Sequence, residues 1–138
     1  LYSPVFRAAR STWRDVELRN PRLGSAELHD SGWQSVRIEG GKLDFLNLRG
    51  AKLTDVLSTD RVINELDLGS ATATRVPLRG CTIGTLDVTG ARLKAFDPRG
   101  AAFRGLSGLG NIAGLVIDDY QLGLLAPLLA AQLGVTVL

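Results

Sequence analysis

Large apolar residues recur along this chain at every fifth position. From position 18 through 23 and 28 to 93 the residues are Leu, Leu, Leu, Trp, Ile, Leu, Leu, Leu, Ser, Ile, Leu, Ala, Leu, Ile, Val and Leu, so fourteen of sixteen are large and apolar. A hydrophobic content of 45% would put about seven there by chance, and a fixed period of this strength marks a repeat architecture. Five matches neither the 3.6 of a helix nor the 2 of an ordinary strand. It fits a solenoid in which each pentad forms one side of a coil and turns a corner, with two residues facing in and three facing out.

The residues two places before each of these positions set the coil length. They run Ala26, Ser31, Val36, Gly41, Leu46, Ala51, Val56, Arg61, Leu66, Ala71, Val76, Cys81, Leu86, Ala91, Phe96, Ala101 and Leu106. Residues twenty apart match: Leu46, Leu66, Leu86 and Leu106 on one side, Ala51, Ala71 and Ala91 on the next, Val36, Val56, Val76 and Phe96 on the third, Gly41, Cys81 and Ala101 on the fourth. Bulky residues on two opposite sides and small ones on the other two fill a narrow square interior without voids. Glycines at 40, 50, 80, 90, 100 and 105 fall at the corners, where unusual backbone angles cost glycine little. Their spacing is too wide for a phosphate-cradling loop.

The stretches Asn47-Leu48-Arg49-Gly50-Ala51, Asp67-Leu68-Gly69-Ser70-Ala71 and Asp87-Val88-Thr89-Gly90-Ala91 resemble the Ala-(Asp/Asn)-Leu-x-x signature of pentapeptide-repeat proteins. The resemblance covers roughly residues 13 to 106 and implies a right-handed quadrilateral β-helix with four pentads per coil. The expected fold is therefore an all-β solenoid of about five coils, roughly 20 to 25 Å tall at the spacing of paired strands, with a C-terminal α-helical cap.

Three segments follow. Residues 1–14 do not keep the beat; Ser3-Pro4 followed by Val5, Phe6, Ala8 and Ala9 reads either as a short helix covering the first coil or as a frayed or extraneous terminus. Residues 15–106 form the solenoid. Residues 107–138 begin with a glycine-punctuated exit and continue with Leu115-Val116-Ile117 as a last strand. Asp118 then serves as N-cap, with Gln121 three residues later. Pro127 predicts a kink or a second short helix ending by Gly134, before an apolar tail.

Composition narrows the function classes. A chain of 138 residues suits one domain. Sixteen basic residues against fourteen acidic ones make a weak case for direct nucleic-acid binding. The lone Cys81 excludes an internal disulfide, and one cysteine with one histidine, His29, is a poor zinc set. No cofactor is expected. No eighteen-residue apolar run and no signal-peptide pattern appear, so the chain reads as cytosolic, with no membrane partner. Leu1 in place of methionine suggests that the natural start lies elsewhere.

Candidate chemistry is sparse. His29 falls at an outward position and reads as a solvated surface residue, and Cys81, at a small inward position, as a buried hydrophobe. Ser58 and Arg61 break the pattern side by side, one replacing a large core residue and the other placing a charge where an apolar group should point inward. Either the corner bulges outward there or Arg61 pairs with Asp60 or Glu65; the spot is also a candidate for binding. Sorted by coil side, Asp67 and Asp87 join Glu27 and Asp30 against Arg49, while Lys52, Arg75, Arg92 and Lys94 stand together against Asp55 on the neighbouring side. Each is a candidate interaction stripe.

The leucines of the C-terminal segment cover more than one helical stripe. Leu122, Leu125, Leu128, Leu129 and Leu133 are candidates for a homodimer interface, an arrangement the resemblance also implies. The expected function is a non-enzymatic protein-interaction module whose partner is unknown. The alternative that the resemblance implies is a DNA-mimicking modulator of a type II topoisomerase such as gyrase, protecting against quinolones. Residues 16–105 hold thirteen basic and eleven acidic residues, which weighs against it, since imitation of DNA needs a strong negative excess.

Overall fold

The computed structural model describes residues 2–138, with side chains from residue 4 onward. Its strands stack in two parallel sheets. One contains β1 (Tyr2–Arg7), β3 (Arg22–Glu27), β5 (Lys42–Asn47), β7 (Val62–Asp67), β9 (Thr82–Asp87) and β11 (Ala102–Ser107). The other contains β2 (Thr12–Arg19), β4 (Gly32–Glu39), β6 (Lys52–Thr59), β8 (Thr72–Arg79) and β10 (Arg92–Asp97). The register is twenty residues throughout, with Leu46 beside Leu66, Leu66 beside Leu86, and Val36 beside Val56. The fold is thus a β-solenoid of about five coils, quadrilateral in outline, closed at its C-terminal end by a single helix.

The corners explain the pentad. Three of the four corners in each coil are left-handed, as at Asp30, Ser35 and Gly40 (φ 56°, 55° and 72°). Asp, Asn, Ser and Gly predominate there because short polar side chains, or none, tolerate that conformation. The fourth corner, at residues 25, 45, 65, 85 and 105, lies inside the strands of the first sheet and is absent from the left-handed set. Larger residues, Phe45, Glu65 and Thr85, are accommodated there. Five of the six predicted corner glycines are left-handed; Gly105 sits at the fourth corner and needs no such freedom.

The first and third residues of each pentad point inward, and Val36, Leu43, Leu48, Ile63, Leu68, Ala71, Ile83, Leu86 and Val88 are all buried. Each large one contributes roughly 1.5–3 kcal/mol by leaving water.

Residues 2–14 correct one expectation. Instead of a helix they supply β1, paired with β3, and the start of β2, paired with β4, so the beat extends to the first described residues; Leu1 lies outside them. The reason is cross-strand packing that spacing alone does not reveal. Trp13 stacks on Trp33 with ring centres 4.9 Å apart, Phe6 meets Trp13 edge-on at 6.4 Å, and the two indole N–H groups donate to Ser11 and Ser31 at 2.9 and 3.0 Å.

At the other end the expected strand Leu115–Ile117 reduces to one bridge between Phe96 and Leu115, after a 3-10 turn at Leu109–Asn111. Helix α1 spans Asp119–Gln132 and runs through Pro127 as one element, where two short helices were an alternative. Proline there forfeits one backbone bond, to the carbonyl four residues earlier. The predicted capping box is present: Gln121 N donates to Asp118 Oδ1 at 2.8 Å and Asp118 N to Gln121 Oε1 at 3.1 Å.

Candidate functional site

The parallel ladders determine where each charged side chain stands. On the side built from the first halves of the even-numbered strands, Lys52 shares a rung with Thr72 and Thr72 with Arg92, while Lys94 pairs with Thr74. Lys52 and Arg92 therefore stand two coils apart in one column, about 10 Å at the usual strand spacing, with Lys94 beside Arg92. All three are exposed. Arg75, assigned to the same group, is not an unopposed cation: its Nε donates to Asp55 Oδ1 at 2.5 Å and its Nη2 to Asp55 Oδ2 at 3.1 Å. The hydrogen bond to Asp55, and then its charge, raise the pKa of Arg75, and the reciprocal bond lowers that of Asp55.

The neighbouring side carries the acidic candidates. Asp67 accepts from Arg49 Nη1 at 3.1 Å and from Gly69 N at 2.9 Å. Asp87 accepts from Thr89 Oγ1 at 2.7 Å and Thr89 N at 2.9 Å, and these bonds hold its carboxyl below the usual range. Glu27 accepts from Asn47 at 2.8 Å. The carboxylates of this stripe are thus largely engaged in turn and ladder bonds. His29 lies here, partly exposed, with its Nδ1 4.0 Å from Glu27 Oε2.

Arg61 overturns both alternatives drawn from the sequence: the corner does not bulge outward, and no ion pair forms with Asp60 or Glu65. The residue is 4% exposed, and its side chain has neither a hydrogen bond nor an ion pair within the described chain; its Nε is fully enclosed without a partner. Burial pushes its pKa down to about 10. Ser58, 5% exposed, lines the same small cavity, of about 20 Å³, together with Leu46, Leu68, Val76 and Phe96. The two departures compensate in volume. Position 58 is small where its ladder partners Ile38 and Leu78 are large, and position 61 is long where Gly41 and Cys81 are small, so the arginine stem fills space a leucine at 58 would take. Cys81 is buried, as expected, and burial raises its pKa.

The candidate interface leucines divide. Leu125 is only 2% exposed, so it is already spent within its own chain and is withdrawn from the outward set. Leu122, Leu128 and Leu133 are exposed, and Leu129 is half-buried. Gln121 does what the sequence did not reveal: buried inside the cap, its Nε2 donates to the carbonyls of Pro98 and Ala101 at 2.6 and 2.9 Å, docking α1 onto the last coil. Its role in the capping box was legible; its second task needs the coil end beside it.

Among the described residues no group of three or more His, Cys, Asp or Glu is placed to hold a metal ion, and no helix is long and apolar enough to cross a membrane.

No family model matches the chain, and no curated protein matches its sequence. Among solved structures, the chain is similar to a trypsin-treated variant of QnrB1, described as a plasmid-mediated fluoroquinolone resistance protein, at 13% identity over 99% of each chain, with a TM-score of 0.50. A second trypsin-treated QnrB1 variant aligns over the same shares at 13% identity with a TM-score of 0.23. At this identity the first match bears on architecture, and what it shares with this chain is the fold, a β-solenoid of stacked parallel strands.

Proposed function

We propose that this protein is a non-enzymatic interaction module that binds a protein partner along the flat side carrying Lys52, Arg92 and Lys94. The observation that carries this reading is the ladder itself: Lys52 on β6 lies between β4 and β8, and Arg92 and Lys94 on β10 pair with β8, so backbone pairing holds these cations at fixed spacing, as repeat proteins commonly present their binding faces. Asp67, Asp87 and Asp97 accept bonds from neighbouring corner residues, and Asp55 is paired with Arg75, so these carboxylates serve the coils, which supports binding over turnover. The partner that fits is one with an acidic face.

Triple charge reversal, Lys52→Glu with Arg92→Glu and Lys94→Glu, tests it. These side chains are exposed, so folding should be unchanged by circular dichroism. A partner captured by the parent protein at low salt should be lost by the triple variant and weakened by high salt. Equal recovery by both proteins would refute the assignment of this side.

A second reading, binding to gyrase, is implied by the resemblance to pentapeptide-repeat proteins, and the structural neighbour is described as a fluoroquinolone resistance protein. The small basic excess of the repeat region opposes it. Purified protein at micromolar concentration is expected to leave gyrase supercoiling, and its inhibition by a quinolone, unaltered; inhibition or protection would reverse the ranking.

Leu122, Leu128 and the half-buried Leu129 of α1, with Leu133 at its C-cap, extend the main reading to a homodimer. Light scattering of the parent protein and Leu128→Lys should give dimer and monomer masses respectively; a monomeric parent would remove the proposal.

A further inference from the structure

The buried pair Arg61 and Ser58 is not used by a surface interaction module. A guanidinium inside an apolar solenoid needs a negative group beside it or carries a large desolvation penalty. None is supplied by the described chain: the Arg61 side chain has no ion pair or hydrogen bond. The Cys81 thiol, which acts on Arg61 through its charge only when ionised, is held toward its neutral form by burial. The Ser58 hydroxyl is likewise without a hydrogen bond in the described chain. Both residues line one cavity of about 20 Å³, whose other walls are Trp33, Leu, Ile, Val and Phe side chains.

We infer that Arg61 and Ser58 bind a single monatomic anion of the halide class in this cavity, inside the stack of coils. The volume exceeds the roughly 10–15 Å³ that one water needs on this measure, and it suits one small sphere. A polyatomic oxyanion is excluded by chemistry, because several oxygens would face apolar walls with one guanidinium and one hydroxyl to satisfy them. Water fits by size but leaves the positive charge unneutralised. A halide neutralises it, accepts from the free guanidinium N–H groups and the Ser58 hydroxyl, and tolerates apolar contact on its remaining surface. The arginine stem takes up only part of the volume that a residue as large as Ile38 or Leu78 would occupy at position 58, and the cavity is what is left.

The test uses the intact protein at constant ionic strength, with sodium gluconate replaced stepwise by sodium chloride or bromide. A ligand that binds only the folded chain raises the midpoint of thermal unfolding by mass action. The parent protein is expected to gain about 5 °C for each tenfold step in halide above half-saturation, and Arg61→Met to show no halide dependence. Equal midpoints in gluconate and halide for the parent, or equal slopes for parent and variant, would overturn the inference. A crystal of the parent grown in bromide gives a second readout that does not depend on the variant folding: an anomalous peak beside the Arg61 guanidinium supports the site, and a water there without anomalous signal overturns it.

Discussion

Arg61→Met isolates the energetic consequence of the one charge placed inside the solenoid. Burial lowers the guanidinium to about 10, more than two pH units below the ordinary arginine value. At 1.36 kcal/mol per unit, the charged form is disfavoured in the folded protein by about 3 kcal/mol. Methionine keeps an unbranched stem and removes the charge, but it is shorter and enlarges the cavity, at a cost of about 1 kcal/mol. The expected net gain is about 2 kcal/mol, measured by urea unfolding at pH 7 in sodium gluconate, where no halide can offset the charge. With a urea dependence of about 2 kcal/mol per M, the midpoint should rise by about 1 M without a change in slope. The pH dependence follows from the same shift. Because the folded value lies below the unfolded one, the folded chain binds fewer protons from about pH 10 up to the ordinary arginine range, and the parent gains stability as pH rises through that window. The advantage of Arg61→Met should therefore be full below pH 9 and shrink above pH 10. A variant less stable than the parent in gluconate, or an advantage that does not change with pH, would refute the reasoning.

Three further outcomes follow from the packing and the cap. Leu48→Asp places a carboxylate at a position 4% exposed, between Leu28 and Leu68, and should prevent folding, since a buried unpaired charge costs several kcal/mol; a soluble variant melting like the parent would contradict the inward assignment. Gln121→Leu leaves the Ala101 carbonyl without its donor and the Pro98 carbonyl with only the Ala101 N–H and should lower stability by about 2 kcal/mol, with faster amide exchange confined first to α1; unchanged exchange there would show that the leucines alone hold the cap. Thr89→Val removes the side-chain bond that contributes most to lowering the Asp87 carboxyl from 3.8. Its resonance should titrate at higher pH. Because the folded Asp87 value is depressed, its stabilising contribution is present above the unfolded carboxylate pKa and lost as pH falls below it, so the variant should lose less stability on acidification than the parent; identical acid sensitivity would contradict this.

Much of the architecture was legible because inward direction in this fold is a local property. A chain that turns every five residues must place positions one and three of each pentad inside, so Leu48, Ala71 and Val76 could be assigned from number alone. Asp118 and Gln121 announced the start of α1 by their spacing for the same reason: a capping box is a contact between residues three apart. The terminal segments were harder. In residues 2–14 the apolar period weakens, and what holds them in the solenoid is Trp13 lying on Trp33, a contact across twenty residues. Of the two outcomes Pro127 pointed to, a kink or a second short helix, the second is not realised, since α1 continues through it as one element.

For the candidate sites, sequence determined which side of the solenoid each charge occupies, since side follows from the count modulo twenty. Lys52, Arg92 and Lys94 share a side for that reason, and Asp67 and Asp87 share the next. What only the tertiary structure decided was how those charges are spent. Arg75 is bound to Asp55 and Asp67 to Arg49, pairings that depend on side-chain reach between rungs rather than on position. The same distinction governs Arg61. Its inward position was set by the period of five, but its solitude was not, because whether Asp60 or Glu65 can turn inward to meet it depends on the direction of a corner, and the corners here direct both of them to solvent.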